Sequence, residues 1–173
     1  IMLSSASNPF TGDFDGGNHT LSNITIEGTS SAGLFGKNQG TIHGLHIENI
    51  NLTGENNVGL IGYNSGTIYG IWVNGDIKGR NYVGGLIGYN YGNATNTQVT
   101  GNVKASANAG LLVGITQAGT IKGITKGNVE STMTDYANTG GIVGYVDTIN
   151  NLKVYGVYQG GTIKCAANAE NYS

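Results

Sequence analysis

Residues that could perform acid–base or metal chemistry are few and widely spaced in this chain. The 173 residues include ten acidic residues, three histidines and a single cysteine. His43 and His46 could offer two imidazoles to zinc, but no third ligand follows at metal-binding spacing. Neither His-Glu-x-x-His nor Gly-x-Ser-x-Gly is present. The sequence therefore predicts a protein that is not an enzyme, with no catalytic residue, no bound metal and no cofactor.

The acidic residues raise two alternatives. Asp13, Asp15 and Asn18 could begin a calcium loop, but the distal Glu is missing, so a Gly-rich turn with Asx hydrogen bonds is favoured. Cleavage of a glycosidic bond generally requires two paired carboxyl groups. The positions 26 and 52 residues after Asp76 hold asparagines, so the repeat does not stack a second carboxyl group on Asp76. A polysaccharide-active enzyme thus has less support than a non-catalytic protein.

Aromatic side chains are the remaining candidates for a binding surface. Trp72 is the only tryptophan, and three tyrosines recur directly after a glycine motif. Tryptophan and tyrosine are favoured at binding hot spots, and their rings suit stacking on sugars. Rings at strand spacing also stabilise a sheet through cross-strand contacts, which is the structural alternative. The candidate residues for binding a host glycan or protein are Trp72, Tyr63, Tyr89, Tyr145 and His46.

A repeat positions these side chains. A seven-residue pattern with apolar second, fifth and seventh positions begins at Thr20, Thr41, Thr67, Asn93, Thr120 and Thr148. A second motif, Gly-Leu-[Phe/Ile]-Gly or a close variant, ends at Gly36, Gly62, Gly88, Gly114 and Gly144, at intervals of 26, 26, 26 and 30 residues. Self-similarity at such a period is typical of repeat architectures.

Composition favours strands within each repeat. The chain has 31 glycines, and each costs about 1 kcal/mol in a helix interior. Gly44 and Gly70, at the fourth position, predict a corner where the strand bends. We therefore expect an all-β, right-handed parallel β-solenoid (β-helix) of about six turns with ~26 residues per turn, the hand following from the usual crossover rule. Stacking at strand spacing makes its body ~24 Å long.

Stacked turns place equivalent residues in columns. Asn38, Asn64 and Asn90 are predicted to form a hydrogen-bonded amide ladder along the axis. The predicted inward columns are Leu34/Leu60/Leu86 and Ile77/Val103/Val129. The sixth position of the copies is predicted to face outward, at Thr25, His46, Trp72, Gln98, Thr125 and Lys153.

Departures from the period predict local irregularities. The fifth copy starts one residue late, which indicates a β-bulge near Thr125 that turns Lys126 to solvent. The segment 130–138 is four residues longer than its equivalents and should project as a loop, and the repeat is expected to decay beyond Val154. The expected division is a single domain, 1–173, with an opening turn at 10–31, repeats at 32–57, 58–83, 84–109, 110–139 and 140–165, and a tail at 166–173.

The glycine motifs resemble a known family. Gly33-Leu34-Phe35-Gly36, Gly59-Leu60-Ile61-Gly62 and Gly85-Leu86-Ile87-Gly88, each with Asn two residues later, resemble the GLUG repeat. The resemblance extends from Phe10 to about Ile163. It implies a β-solenoid stalk or adhesive region of a large secreted or surface-anchored bacterial protein. Such regions occur in bacterial surface adhesins and in non-catalytic parts of immunoglobulin A1-specific metallopeptidases, and the chain would then be a fragment of a longer protein.

Charge and hydropathy narrow the expected partners. A formal net charge of −2 gives no basic surface for nucleic acid, and no apolar run approaches the ~20 residues that span a bilayer, so neither nucleic acid nor membrane insertion is expected. Exposed strand edges at the ends of a solenoid predict end-to-end self-association.

Two functions remain open, a passive spacer and a module that adheres to glycan or host protein. A glycan array should separate them, because a spacer binds nothing. An ice-binding solenoid has less support, because its threonine column is interrupted at Asn93 and lacks a matched second column. The expected location is secreted or on the bacterial cell surface.

Overall fold

The structure, a computed structural model, describes residues 1–147 and 151–166. These residues form seventeen β-strands, and no helix occurs among them. Each turn contains one long strand and two short ones. In chain order the strands are β1 (Asp13–Glu27), β2 (Ser30–Ala32), β3 (Phe35–Asn38), β4 (Thr41–Thr53), β5 (Asn56–Val58), β6 (Ile61–Asn64), β7 (Thr67–Gly79), β8 (Asn81–Gly84), β9 (Ile87–Asn90), β10 (Asn93–Ala105), β11 (Asn108–Gly110), β12 (Val113–Thr116), β13 (Thr120–Ser131), β14 (Asn138–Gly140), β15 (Val143–Val146), β16 (Lys153–Tyr158) and β17 (Ile163–Cys165).

The strands stack into three parallel sheets. The long strands follow the order β1-β4-β7-β10-β13-β16, and β17 also pairs with β13. The short strands form the sheets β2-β5-β8-β11-β14 and β3-β6-β9-β12-β15. This confirms the predicted right-handed parallel β-solenoid of ~26 residues per turn. The described residues complete about five turns, where six were expected. No described helix could span a membrane.

The corner predicted at Gly44 and Gly70 is present. Gly44 and Gly70 have φ angles of +63° and +64°, in the left-handed region that glycine adopts without steric penalty. The strand continues on both sides of this corner, so one long strand forms two faces of the coil. The inward side chains of both faces therefore converge on a single core.

The predicted inward columns form that core. Leu34, Leu60 and Leu86 are 5%, 0% and 0% exposed, and Leu112 continues the column. The second column, Ile77/Val103/Val129, is also buried. Burying a Leu or Val side chain stabilises a fold by roughly 1.5–3 kcal/mol, so these columns supply much of the favourable energy of each turn.

The amide ladder is also confirmed. Asn38, Asn64 and Asn90 are fully buried, and their side chains hydrogen-bond to one another along the solenoid axis. Asn90 continues the row by donating from Nδ2 to Thr116 Oγ1 at 3.1 Å. The row satisfies polar groups that would otherwise be costly inside the coil.

The predicted position of the first copy is wrong. Thr41 pairs with Asp13, and Thr20 pairs with His46, because the register shifts between Asp15 and His19. The extra residues on β1 explain why the first two threonines are only 21 residues apart. The outward column at position six is therefore Thr20, His46, Trp72, Gln98, Ile124 and Val157, without Thr25, Thr125 or Lys153.

The bulge lies on β10, and its predicted place near Thr125 is wrong. Ala94 pairs with Ile121 and Thr97 with Gly123, so two residues of β10 oppose Lys122 alone. Thr97 is buried, and its hydroxyl donates to the carbonyl of Lys122 at 2.8 Å. A threonine therefore replaces the usual Ile or Leu here because its hydroxyl satisfies that carbonyl.

The bulge sets which residues of β13 face the core. Thr125 is fully buried and donates to the Gly141 carbonyl at 2.6 Å, whereas Ile124 faces outward and is 36% exposed. Lys126 is exposed, as predicted. The projecting loop is also present, at residues 132–137 between β13 and β14, and its Tyr136 is 67% exposed.

The predicted decay of the repeat beyond Val154 is seen as a shortened, broken strand. β16 continues the register of β13 as far as Tyr158, but it has only six residues, and β17 adds three more. The predicted start of this copy, at Thr148, lies outside the described residues, as does most of the predicted tail.

The amino-terminal segment covers the outer edge of β3. Leu3 donates from its backbone nitrogen to the Leu34 carbonyl at 2.6 Å, and Phe10 donates to Lys37 at 3.0 Å. The ring of Phe10 packs edge-to-face on Phe35, with centroids 5.4 Å apart. Residues before β1 thus protect a strand edge that would otherwise be open.

Candidate ligand-binding surfaces

The five predicted binding residues do not form one site. His46 and Trp72 lie on the outer face of the long sheet, in β4 and β7. Tyr63 and Tyr89 lie in β6 and β9 of a different sheet, and Tyr145 lies two turns further along that sheet, in β15. Each group is therefore a separate candidate surface.

Trp72 is stacked within the solenoid. Its ring lies 4.0 Å from that of His46 at an interplanar angle of 10°, and Gln98 occupies the equivalent position in the next strand. His43 and Tyr69 form a second stack on the same sheet, with centroids 4.7 Å apart. The rings therefore face along the axis, and a ligand approaching from solvent would meet mainly the edge of the indole. This geometry supports the cross-strand role that the sequence offered as the structural alternative.

A shallow cleft of about 230 Å³ lies beside Trp72. Its polar side chains could hydrogen-bond a hydroxylated ligand that contacts the exposed indole edge. They are Thr20, His46, Glu48, Asn74, Gln98 and Thr100.

Tyr63 is covered on both sides. Its ring stacks on that of Tyr89 at 5.0 Å, and Lys37 Nζ lies 5.1 Å from its centroid. Burial raises the pKa of Tyr63, and Tyr91 raises it further. Burial likewise raises the pKa of Tyr89. Both phenols are therefore held in the neutral, hydrogen-bonding form.

The tyrosine column is interrupted before Tyr145. Ile115 stands between Tyr89 and Tyr145 in the register and is buried. Tyr145 instead lines a separate cleft of about 160 Å³. The cleft residues are Tyr82, Asn108, Tyr136, Asn138, Tyr145 and Asp147, and only Tyr145 was identified from the sequence. The signal that could have indicated the cleft was the extra loop that carries Tyr136.

Asp13 and Asp15 lie against His43. The Asp13 carboxylate is 2.9 Å from His43 Nε2, and Asp15 is 3.8 Å from Nδ1. Asp15 also accepts a hydrogen bond from the backbone of Gly17 at 2.8 Å, which confirms the Asx turn. Within residues 1–147 and 151–166, no three His, Cys, Asp or Glu side chains are grouped to hold a metal ion.

Asp76 belongs to an exposed polar row. Asn102 donates to it at 2.8 Å, and Asn128 donates to Asn102 at 3.0 Å, as the spacing predicted. A groove of about 300 Å³ runs beside this row and is bounded on its other side by charged residues. There Glu130 lies 3.9 Å from the ammonium groups of both Lys104 and Lys164. One carboxylate there faces two ammonium groups, and Asp76 and Lys78 add one further charge of each sign to the wall of the groove.

Comparison with known proteins identifies one segment. The family model for the GLUG motif matches residues 79–104. No curated protein and no solved structure matches the chain. The matched segment is one turn long, from the end of β7 into β10, and the turns on either side repeat its register. The chain therefore carries a match to the GLUG motif in one of its turns, and its other turns share the register of that turn.

Proposed function

We propose that this chain is a non-catalytic stalk module of a large bacterial protein that is secreted or anchored at the cell surface. The observation that carries the proposal is the axial continuity of the solenoid. Parallel pairing links successive turns in all three sheets, and the buried amide row links them through the core. Each turn contacts only its neighbours, so the length of such a module is set by the number of turns.

The arrangement of the aromatic rings supports the same role. His46 and Trp72 stack on each other, as do Tyr63 and Tyr89. Most of their ring area contacts another turn of the solenoid, where it adds to cross-strand stabilisation. The fit of the GLUG motif and the solenoid to a repeat module is consistent with this proposal.

A stalk should lengthen in fixed increments when turns are added. Residues 67–92 make one turn, because Thr67 pairs with Asn93. Nitroxide labels on a cysteine introduced at Ser22 and on the native Cys165 would straddle the solenoid, since both side chains are exposed. Duplicating residues 67–92 should lengthen the label distance by ~4.8 Å per copy without broadening its distribution. A broad distribution that does not shift would contradict a rigid stalk.

The proposed location has its own test. An antibody raised against the folded module should label intact source cells if the parent protein is displayed on the surface. Labelling confined to lysed cells would contradict the surface proposal, and detection in the culture medium would indicate secretion.

An adhesive role is the second candidate. It is favoured by the cleft at Tyr145, whose exposed phenols are not part of the stacked pairs. A glycan array with the isolated chain tests it, because a pure spacer binds no sugar. A lateral site would be compatible with a stalk, since outward side chains do not contribute to the buried amide row.

A further inference from the structure

We propose that the cleft at Tyr145 binds one neutral sugar residue of a saccharide. The tyrosine cleft, as we name it, is the 160 Å³ cleft lined by Tyr82, Asn108, Tyr136, Asn138, Tyr145 and Asp147. Three of its six lining residues are tyrosines, and the others are two amides and a carboxylate. The proposal goes beyond the stalk function and does not depend on it.

The loop that helps to form the cleft is the main departure from the repeat. Residues 132–137 account for the 30-residue interval between Gly114 and Gly144, where the preceding intervals are 26. This loop brings Tyr136 to the side of the solenoid, where it lines the cleft together with Tyr145 of the same turn. Variable loops on a rigid scaffold are the usual place for binding residues. The insertion is not needed to close a turn, because the other turns close without it.

Tyr82, another residue that lines the cleft, occupies a strained backbone position. Its φ angle is +53°, and the equivalent positions in the two preceding turns hold Ser31 and Asn57. A bulky residue is rare in this conformation, and such strain clusters at functional sites. The ring of Tyr82 packs edge-to-face against Tyr89, with centroids 5.6 Å apart, which fixes its orientation. The turn thus holds a tyrosine where a small polar residue would be easier to accommodate.

The polar groups of the cleft are also fixed in place. Asn138 donates to Asn108 at 2.6 Å, and Asn108 donates to Asn81 at 2.7 Å. Asp147 accepts a hydrogen bond from Gln117 at its Oδ2, at 2.7 Å, and its Oδ1 accepts none from the described residues. The carboxylate and the two amides are therefore held in place before a ligand arrives.

The chemistry of the wall selects the class of ligand. Most of the accessible wall consists of polar atoms, so hydroxyl and amide groups, more than ring faces, meet a ligand. A quaternary ammonium ion cannot donate a hydrogen bond and is recognised by aromatic faces, which suits this wall poorly. A sugar presents several hydroxyls in fixed directions and suits it well. The cleft volume of about 160 Å³ is of the size of a single sugar ring, and the cleft is open to solvent on one side.

Titration of the full, isotopically labelled chain with simple sugars tests the proposal. The probes are the methyl glycosides of glucose, galactose and mannose, and N-acetylglucosamine, each followed by amide chemical shifts. At least one should produce saturable shifts at 81–83, 108–110 and 136–147, with none at the indole of Trp72. The Tyr136→Ala variant should weaken that binding at least tenfold, and its fold should be kept because the side chain is 67% exposed. Tyr91→Ala, at another exposed tyrosine, is the matched control and should bind as the natural chain does.

Three results would overturn the proposal. One is the absence of saturable shifts with every sugar in the panel. Another is equal affinity in the natural chain, Tyr136→Ala and Asp147→Asn. The third is saturation of the cleft by tetramethylammonium in place of the sugars. None of these results affects the label distances that test the stalk, so the two proposals fail independently.

Discussion

Gly70 and Asn96 occupy the same corner position in adjacent strands, with φ angles of +64° and +49°. Glycine and asparagine are the residues that most readily adopt the left-handed conformation. The left-handed backbone at Gly44, Gly70 and Asn96 therefore explains why the fourth position of these copies holds glycine or asparagine. Space is not the constraint at Gly70, because a Cβ there would meet no atom closer than 3.6 Å.

Substitutions at Gly70 should follow this conformational preference. Gly70→Asn should change the free energy of unfolding by less than ~0.5 kcal/mol, whereas Gly70→Val should cost ~1–2 kcal/mol or more. Chemical denaturation measures both. Gly66→Ala is the steric comparison and should be more destabilising, because its Cβ would lie against the Gly40 carbonyl oxygen. Equal stability of the Asn and Val variants would contradict this account of the corner.

The columns could be predicted from the sequence because they depend only on the period. Residues 26 apart stack at strand spacing, so Leu60 and Leu86, or Asn64 and Asn90, coincide once the repeat is recognised. The errors arose where a strand carries extra residues. Because of the bulge opposite Lys122, Ile124 faces solvent and Thr125 faces the core, the opposite of the prediction. The position of the bulge depends on which of the two paired strands carries the extra residue. A single sequence contains no direct signal for that choice.

The tyrosine cleft was less accessible to prediction. Tyr82 and Tyr145 are in different sheets, and Tyr136 is in a loop outside the repeat. No fixed spacing relates these three positions. Their convergence depends on how the loop folds back against the solenoid, which periodicity does not describe. Trp72 was correctly placed on the outside and in one column with His46, but the periodicity does not describe how closely the two rings stack.

The contact between His46 and Trp72 should be measurable as a coupling energy. Stacked aromatic pairs contribute about 0.5–1.5 kcal/mol beyond the burial of their surface. A double-mutant cycle with His46→Ala and Trp72→Ala should give a coupling in this range. The same cycle with His46→Ala and Tyr155→Ala should give none, since the two residues lie several strands apart. A coupling energy of zero for the first pair would mean that the His46 contact does not stabilise the fold, and would favour a ligand-binding role for Trp72.

Alkaline pH should destabilise the protein through Tyr63 and Tyr89. Burial raises the pKa of both phenols, so each binds its proton more tightly in the folded than in the unfolded chain. Their contribution to stability is complete below the unfolded pKa of about 10 and is lost as pH rises through the folded pKa. The Tyr63→Phe/Tyr89→Phe variant should therefore lose less stability between neutral pH and about pH 11. Tyr136→Phe, at an exposed tyrosine, is the comparison. An unchanged pH slope in the double variant would refute the assignment.

Self-association should involve the carboxyl-terminal end of the solenoid. The apolar residues Val154, Val157 and Ile163 are 38%, 56% and 47% exposed there, whereas the amino-terminal segment covers the edge of β3. Exposed apolar strand edges pair readily with other chains. Val157→Lys should weaken association measured by sedimentation, and Leu21→Lys, at an exposed position of β1, should have little effect. A strict monomer at millimolar concentration, or equal effects of the two variants, would contradict this prediction.

The buried and exposed amide rows allow the contribution of burial to be isolated. Asn64 accepts a hydrogen bond from Asn38 and donates one to Asn90, both at 3.0 Å, and it also binds the backbone of Gly66. Asn102 makes the same kind of axial contacts, with Asp76 and Asn128, but on the exposed face. The two rows therefore have the same hydrogen-bond geometry and differ in their exposure to water.

Replacing Asn64 with Leu should cost several times more than replacing Asn102 with Leu. The first change leaves buried partners unsatisfied, at about 1–3 kcal/mol for each group, while water can replace the lost contacts in the second, leaving a cost within ~1 kcal/mol. We expect Asn64→Leu to destabilise the protein by at least ~3 kcal/mol in chemical denaturation. Because each turn contacts only its neighbours, hydrogen exchange should rise first in β6 and in the strands beside it, β3 and β9. Equal destabilisation by the two variants would mean that the ladder contributes through its geometry and not through its burial.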